Sequence, residues 1–221
     1  EKSAFSRCFF AKDSLINHSA LNAEENDYWY AEVMEKEIDG MLFNGDVLVE
    51  ARPRLTSANI PEGVTTIDRN AFYECFDLTS VTIPESVTSI GSGAFSETGV
   101  IKDESNWEDG VLYINNCLIK AKTEIKGAYT IKEGCRVIAD NAFGECDKLS
   151  SVTIPNSVTH IGSSAFSGCR QLSSITLPGS VTNIGQYAFS GCRGLTVIAI
   201  PNSVMNIGDY AFSGCSGLTS I

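Results

Sequence analysis

The chain has 221 residues, 43% of them hydrophobic and 19% charged, with a formal net charge of −11. This apolar content excludes a disordered chain, and the acidity argues against nucleic acid or an anionic membrane as partner, because both select clustered Lys and Arg. No apolar run approaches the length of a membrane span, and eight Cys beside two His leave disulfides or a metal site to be decided by spacing.

From the N-terminus, Ala4-Phe5-Ser6-Arg7-Cys8 resembles the tail of a repeat unit whose beginning is missing. Residues 19–37 follow no repeat. They gather Glu24, Glu25, Asp27, Glu32, Glu35 and Glu37 around Tyr28-Trp29-Tyr30 and are expected to form an acidic, partly helical excursion. Next, Asp39–Phe43, a turn at Asn44-Gly45 and Val47–Val49 predict a β-hairpin, Asn-Gly being the strongest short turn signal. The same arrangement returns 70 residues later as Asp109–Tyr113, Asn115-Asn116 and Cys117–Ile119, so a long kind of unit occurs twice.

Between and after the hairpins the sequence is periodic. Phe72, Phe95, Phe143, Phe166, Phe189 and Phe212 are spaced by 23, 48, 23, 23 and 23, and Pro61, Pro84, Pro155, Pro178 and Pro201 follow the same register. A representative unit runs LSSITLPGSVTNIGQYAFSGCRG from Leu172 to Gly194. Its period lies within the 20–29 residues of leucine-rich repeats, and the opening L-x-x-I-x-L matches their strand. A unit this short cannot bury its own apolar face, so stacking into a solenoid follows. Leu172, Ile175 and Leu177 are expected inward on a first strand, and Pro178-Gly179 at the corner. Val181 and Ile184 point inward from a second short strand, and Ala188 and Phe189 close the coil. The expected fold is a leucine-rich-repeat solenoid, a β-rich right-handed superhelix of about seven coils with short strands, 3-10 turns and little helix. It is divided into residues 1–54 (partial repeat, excursion and hairpin), 55–98 (regular repeats), 99–131 (hairpin-bearing longer unit) and 132–221 (regular repeats).

The run I-P-x-x-V-x-x-I-G-x-x-A-F-x-x-C, complete or nearly so from Ile83, Ile154, Leu177 and Ile200, resembles the BspA-like leucine-rich repeat family. Its clear copies cover about residues 55–98 and 131–221, with departures at Thr98, where Cys is usual, at Lys132, where Pro is usual, and at Cys135, where Val is usual. The resemblance implies a surface-attached or secreted protein of a host-associated microbe. Its expected partner is a protein or glycan of the host extracellular matrix, a host cell or another microbial surface.

The candidate chemistry is sparse. Cys75, Cys146, Cys169, Cys192 and Cys215, and also Cys8, stand three residues after a repeat Phe, which predicts an inward column of free thiols; the two-to-four-residue pairs of a zinc site are missing. His160 shares its unit position with Ser89, Asn183 and Asn206 and reads as a variable outward residue, and His18 is the other histidine. No nucleophile elbow, phosphate loop or dinucleotide fingerprint occurs. Asp103, Glu104, Glu108 and Asp109 lack the alternate spacing of a calcium loop. No enzyme, metal or cofactor is expected, and no nucleic acid or membrane insertion.

What remains is surface. On the first strand Ser80 and Thr82, Ser151 and Thr153, Ser174 and Thr176, then Val197 and Ala199, are expected to form a flat, weakly charged face that becomes more apolar toward the C-terminus. Tyr187 with Tyr210, and Arg170 with Arg193, are vertical neighbours on the opposite edge, and Tyr and Arg are enriched at hot spots. These residues suit macromolecular recognition without chemistry, and the family resemblance implies adhesion through protein binding; a carbohydrate-binding module or a structural spacer for another domain are the alternatives. Residues 1–98 carry 7 basic and 17 acidic groups (net −10), whereas residues 99–221 carry 9 and 10 (net −1), so the C-terminal repeat face is expected to act as an uncharged one.

Overall fold

The computed structural model describes residues 36–220. The partial repeat at Ala4–Cys8, His18 and nearly all of the acidic excursion lie outside the described residues. The rest is a β-solenoid of about seven turns.

The solenoid opens with a three-stranded antiparallel meander, β1 (Lys36–Ile38), β2 (Met41–Asn44) and β3 (Val47–Ala51). The β1–β2 turn is Asp39-Gly40, with φ of 49° and 77°, the doubly left-handed geometry that two-residue hairpins favour and that Asp-Gly supplies cheaply. The β2–β3 turn falls at Gly45-Asp46, one residue later than Asn44-Gly45 suggests, because Asn44 pairs with Val47 as the last rung. Strand β1 is an element the sequence reading missed: Asp39-Gly40 is a turn and not the start of a strand.

Parallel coils follow. Strand β4 (Ser57–Asn59) pairs with β6 (Ser80–Thr82) on one face, and β3 pairs with β5 (Thr66–Ile67), then β7 (Ser89–Ile90), on the other. At Thr98 the repeat ends. Thr98 replaces the usual Cys, is completely buried, donates to Phe95 O at 2.7 Å and caps the single-turn helix α1 (Gly99–Lys102). A polar side chain that bonds locally favours a cap over a continued coil.

A second meander, β8 (Trp107–Glu108), β9 (Val111–Ile114) and β10 (Cys117–Ala121), then restarts the solenoid. Its β9–β10 hairpin is the first hairpin shifted by 70 residues, and Asp109-Gly110 repeats the doubly left-handed turn with φ of 49° and 80°. Strand β11 (Gly127–Thr130) opens a sheet with β13 (Leu149–Thr153) and β15 (Ser174–Thr176). The other face continues from β10 through β12 (Val137–Ile138), β14 (His160–Ile161), β16 (Asn183–Ile184) and β17 (Asn206–Ile207).

Packing follows the periodic pattern. Leu172, Ile175, Leu177, Val181, Ile184, Ala188 and Phe189 are all buried. The Phe column divides into two stacked spines. Phe72 lies on Phe95, with centroids 5.2 Å apart, and Phe143 starts the run through Phe166, Phe189 and Phe212 at 5.1–5.5 Å. The hairpin at residues 111–121 separates the spines and is buried on both sides. Val111, Leu118 and Ala121 belong to the C-terminal core, whereas Leu112, Ile114, Cys117 and Ile119 belong to the N-terminal one. A strand buried on both faces loses the polar alternation of a half-exposed one, which explains the runs Val111-Leu112 and Cys117-Leu118-Ile119. The Gly of the I-G pair is dictated by contact: a Cβ at Gly162 or Gly185 would stand 2.6 or 2.4 Å from backbone of the preceding coil.

The corners after the second strand are turns closed by i+3 bonds, such as Ala188 N to Gly185 O and Ser190 N to Tyr187 O, and left-handed residues such as Tyr187, with φ of 56°, keep them from running on as a 3-10 helix. One expectation is corrected: the first-strand face is not continuous. After β6 the hairpin turn intervenes, and Asn115 Oδ1 accepts from Ile83 N at 2.8 Å, a position that the carbonyl of a following coil fills elsewhere.

Candidate functional site

The outward positions of the first strand come together in register. Ser151 pairs with Ser174 and Thr153 with Thr176, and in the N-terminal block Ser57 pairs with Ser80 and Asn59 with Thr82. Thr153, Ser174 and Thr176 are exposed, but Ser151 is half-buried in the middle of a sheet paired on both sides. Val197 and Ala199 do not extend that ladder. Val197, 54% exposed, bridges forward to Ser220, and among the described residues β15 pairs only with β13. The face is therefore a three-stranded hydroxyl-rich patch followed by an apolar step.

Tyr187 and Tyr210 are stacked, their centroids 5.2 Å apart and their rings 7° from parallel. Tyr210 is 64% exposed and Tyr187 39%. Both occupy a left-handed backbone position, with φ of 56° and 58°, which the preceding coils fill with Asn70, Gly93, Asn141 and Ser164. Gly and Asn suit that conformation, whereas a bulky aromatic is an outlier there. Nothing in the fold demands two exposed Tyr at this corner, and sequence pattern could not reveal the strain because backbone sign is invisible in spacing alone.

Arg170 and Arg193 project from adjacent coils. Arg170 Nη2 lies 3.9 Å from Glu145 in a mostly exposed pair, and Arg193 has no ion pair among the described residues. Among those residues no hydrogen bond or ion pair joins the Arg pair, the Tyr pair and the strand face into one site.

The thiol column lies inside. Cys169, Cys192 and Cys215 Sγ donate to Phe143, Phe166 and Phe189 carbonyls of the preceding coil at 3.2, 3.1 and 3.0 Å, and Cys75 Sγ to Arg52 O at 3.3 Å. Cys is thus a small apolar filler that also satisfies a buried carbonyl. Burial pushes the Cys192 and Cys75 thiols up to about 12 and the Cys146 and Cys117 thiols up to about 11, so the nucleophilic thiolate is suppressed. The seven described Cys are free thiols.

His160 Nδ1 bonds to Thr159 Oγ1 at 2.8 Å, and desolvation lowers its pKa; it faces no nucleophile triad. Of the acidic loop residues, Asp103 caps a 3-10 turn through Ser105, Glu104 pairs with Lys122, and Glu108 pairs with Lys132. Among the described residues no group of three or more His, Cys, Asp or Glu is placed to hold a metal ion. No helix among the described residues is long and apolar enough to cross a membrane.

The sequence matches the BspA type leucine rich repeat region, in six copies, over residues 50–130 and 121–221, and the chain belongs to that family. Repeats of this kind are typically non-enzymatic and generally mediate protein interactions. Among solved structures, a leucine rich cell surface protein of Faecalibacterium prausnitzii is similar at 29% identity over 76% of this chain and 59% of that one, with a TM-score of 0.46. The pneumococcal vaccine antigen PcpA is similar at 19% identity over 75% and 50%, with a TM-score of 0.49. A leucine rich repeat protein of T. pallidum is similar at 22% identity over 78% and 82%, with a TM-score of 0.38. The chain thus spans 59% and 50% of the first two structures' lengths. No curated protein matches it.

Proposed function

We propose that the chain is a non-enzymatic recognition module of a microbial cell-surface or secreted protein, binding a host or microbial macromolecule through side chains that the stacked coils hold in register. The observation that carries this reading is the Tyr187–Tyr210 pair. Two exposed aromatic rings are retained in a backbone conformation that costs of order 1–3 kcal/mol in a bulky residue, and strain kept at a surface position has its use outside the fold. Tyr supplies large, rigid contact area at low entropic cost. The Thr153–Thr176 and Ser151–Ser174 rows offer a second, uncharged surface with β-sheet regularity. Family membership supports a surface location and an adhesive role.

The test uses the 221-residue chain against immobilised extracellular-matrix proteins and a glycan array, beside Tyr187→Asn/Tyr210→Asn and Thr153→Asp/Thr176→Asp. Wild type should bind at least one matrix protein and the Tyr double variant should lose at least tenfold in affinity. Binding on the glycan array alone would move the function to carbohydrate recognition. Binding equal in all three forms would remove both surfaces from the function. If none is bound and an unrelated rigid solenoid can replace the segment in its parent protein without loss, the segment is a spacer.

A further inference from the structure

The restart of the solenoid leaves a cleft of about 440 Å³ between the coil at residues 91–97 and the end of β10, with Trp107 and Asn141 in its lining. Its chemistry follows from what regular coils do at the same place. Ser164, Phe166 and Gly168 N–H groups donate to the carbonyls of Gln186, Ala188 and Ser190 in the next coil, and the coils at Asn141 and Tyr187 repeat the pattern, all at 2.7–3.0 Å. The equivalent donors on the cleft wall are the N–H groups of Gly93, Phe95 and Glu97. None of the three makes a hydrogen bond among the described residues. The hairpin fills the core beneath them but supplies no carbonyl edge to them.

Across the cleft stands Lys120. It is half-buried, its Nζ donates to the neutral carbonyl of Asn141 at 3.2 Å, and no carboxylate lies within ion-pair distance among the described residues. Desolvation lowers its pKa, a pressure that a nearby anion relieves. The other charges at the cleft are engaged or peripheral. Glu97 pairs with Lys102 at 2.9 Å, Lys122 pairs with Glu104, Asp140 accepts from Ser163 N at 2.6 Å, and Glu124 is exposed at the rim.

We propose that this cleft receives an acidic peptide segment of a partner protein, laid along the open edge of the coil. Its alternate main-chain carbonyls take the N–H groups of Gly93, Phe95 and Glu97, and a carboxylate side chain takes Lys120. Three donors at alternate residues of one edge match alternate carbonyls of a single chain, as they meet Gln186, Ala188 and Ser190 in a regular coil, and no single small anion spans all three. The coil that is missing from the ladder is supplied from outside, at a place distinct from the Tyr pair and the strand face.

The test is an amide-resolved NMR titration of the whole chain with the acetylated, amidated hexapeptide Ser-Asp-Ser-Ala-Ser-Asp. Its Asn-for-Asp counterpart and sodium acetate at equal carboxylate concentration serve as controls. The Asp peptide should shift the Gly93, Phe95 and Glu97 amides and slow their hydrogen exchange, the Asn peptide should bind about tenfold more weakly, and acetate should leave all three unmoved. Lys120→Met should lose about tenfold in affinity, and Ser96→Trp, which obstructs the cleft wall from a half-buried position, should abolish binding; melting curves establish that both fold. Shifts confined to Tyr210, Phe212 and Gly214 of the last described coil, an acetate response as large as the peptide's, or affinity unchanged in both folded variants would each overturn the proposal.

Discussion

The guanidinium of Arg136 donates to the backbone carbonyl of Val87, 49 residues earlier in the chain. The same group also donates to the carbonyls of Pro84 and Glu85, so one side chain collects three carbonyls of the loop that leads into β7. Regular coils carry Thr at this position, as at Thr88, Thr159 and Thr182, and its hydroxyl reaches the coil before. The coil after the inserted hairpin needs a longer reach, and Arg provides it with a planar fork of donors.

Arg136→Met keeps most of the stem volume but removes those three bonds. Charge-assisted bonds contribute about 1.5–3 kcal/mol each, and their losses are not additive. The expected cost is about 2–4 kcal/mol. Because the bonds tie the coil after the hairpin to the loop before β7, calorimetry should show unfolding that is broader or split relative to wild type; an unchanged profile would mean that the hairpin alone couples the blocks.

Phe166→Ala removes the middle of the second spine, where Phe166 is flanked by Phe143 and Phe189. Loss of a fully buried Phe costs about 3–5 kcal/mol, whereas Phe212, half-buried at the end of the spine, should cost clearly less. Urea midpoints of the two variants check the order, and equal values would show that the stack is not cooperative along the column.

Native thiol labelling should be slow. Of the seven described Cys, Cys215 alone is half-buried, and it should react first with a disulfide reagent at pH 8; the buried six should wait for denaturant. Their raised pKa values leave little thiolate at that pH. Rapid modification of Cys169 or Cys192 without denaturant would contradict the ladder geometry.

Asp140 provides a pH dependence. Burial raises its carboxyl pKa, opposed by hydrogen bonds from the Ser163 and Ser92 backbone and by Arg69. A raised acidic pKa means that the folded state holds its proton longer than the unfolded one, so the stability it contributes is complete below the ordinary carboxylate value and is lost as pH rises through the folded one. Asp140→Asn lacks that loss. Its melting temperature should therefore gain on wild type as pH climbs through the acidic range, from a constant difference at the lowest pH. A difference flat with pH would place Asp140 in solvent.

Spacing alone identified the solenoid, because each 23-residue unit repeats its inward set and a column of Phe or Cys needs no tertiary information to be recognised as a column. The same logic found both hairpins, which are copies of one another. It could not find β1, since Asp39-Gly40 is compatible with either a strand start or a turn, nor the break in the outer sheet, since strand pairing between units 48 residues apart is not encoded in either unit. Ser151, Thr153, Ser174 and Thr176 were legible as a row because neighbouring coils share one register. The meaning of Tyr187 and Tyr210 was half legible. Their vertical adjacency follows from the period, but their left-handed backbone does not.

Local repetition thus specifies what each coil buries, through side-chain alternation and the close approach that demands Gly at positions such as Gly162 and Gly185. Where the repetition fails, at Thr98 and across residues 99–131, the outcome depends on long-range packing: a hairpin buried on both faces, an Arg reaching back over the gap, and a cleft whose three N–H donors lost their next coil. Those features arise from which surfaces meet in space, and sequence distance carries no information about that once the period is broken.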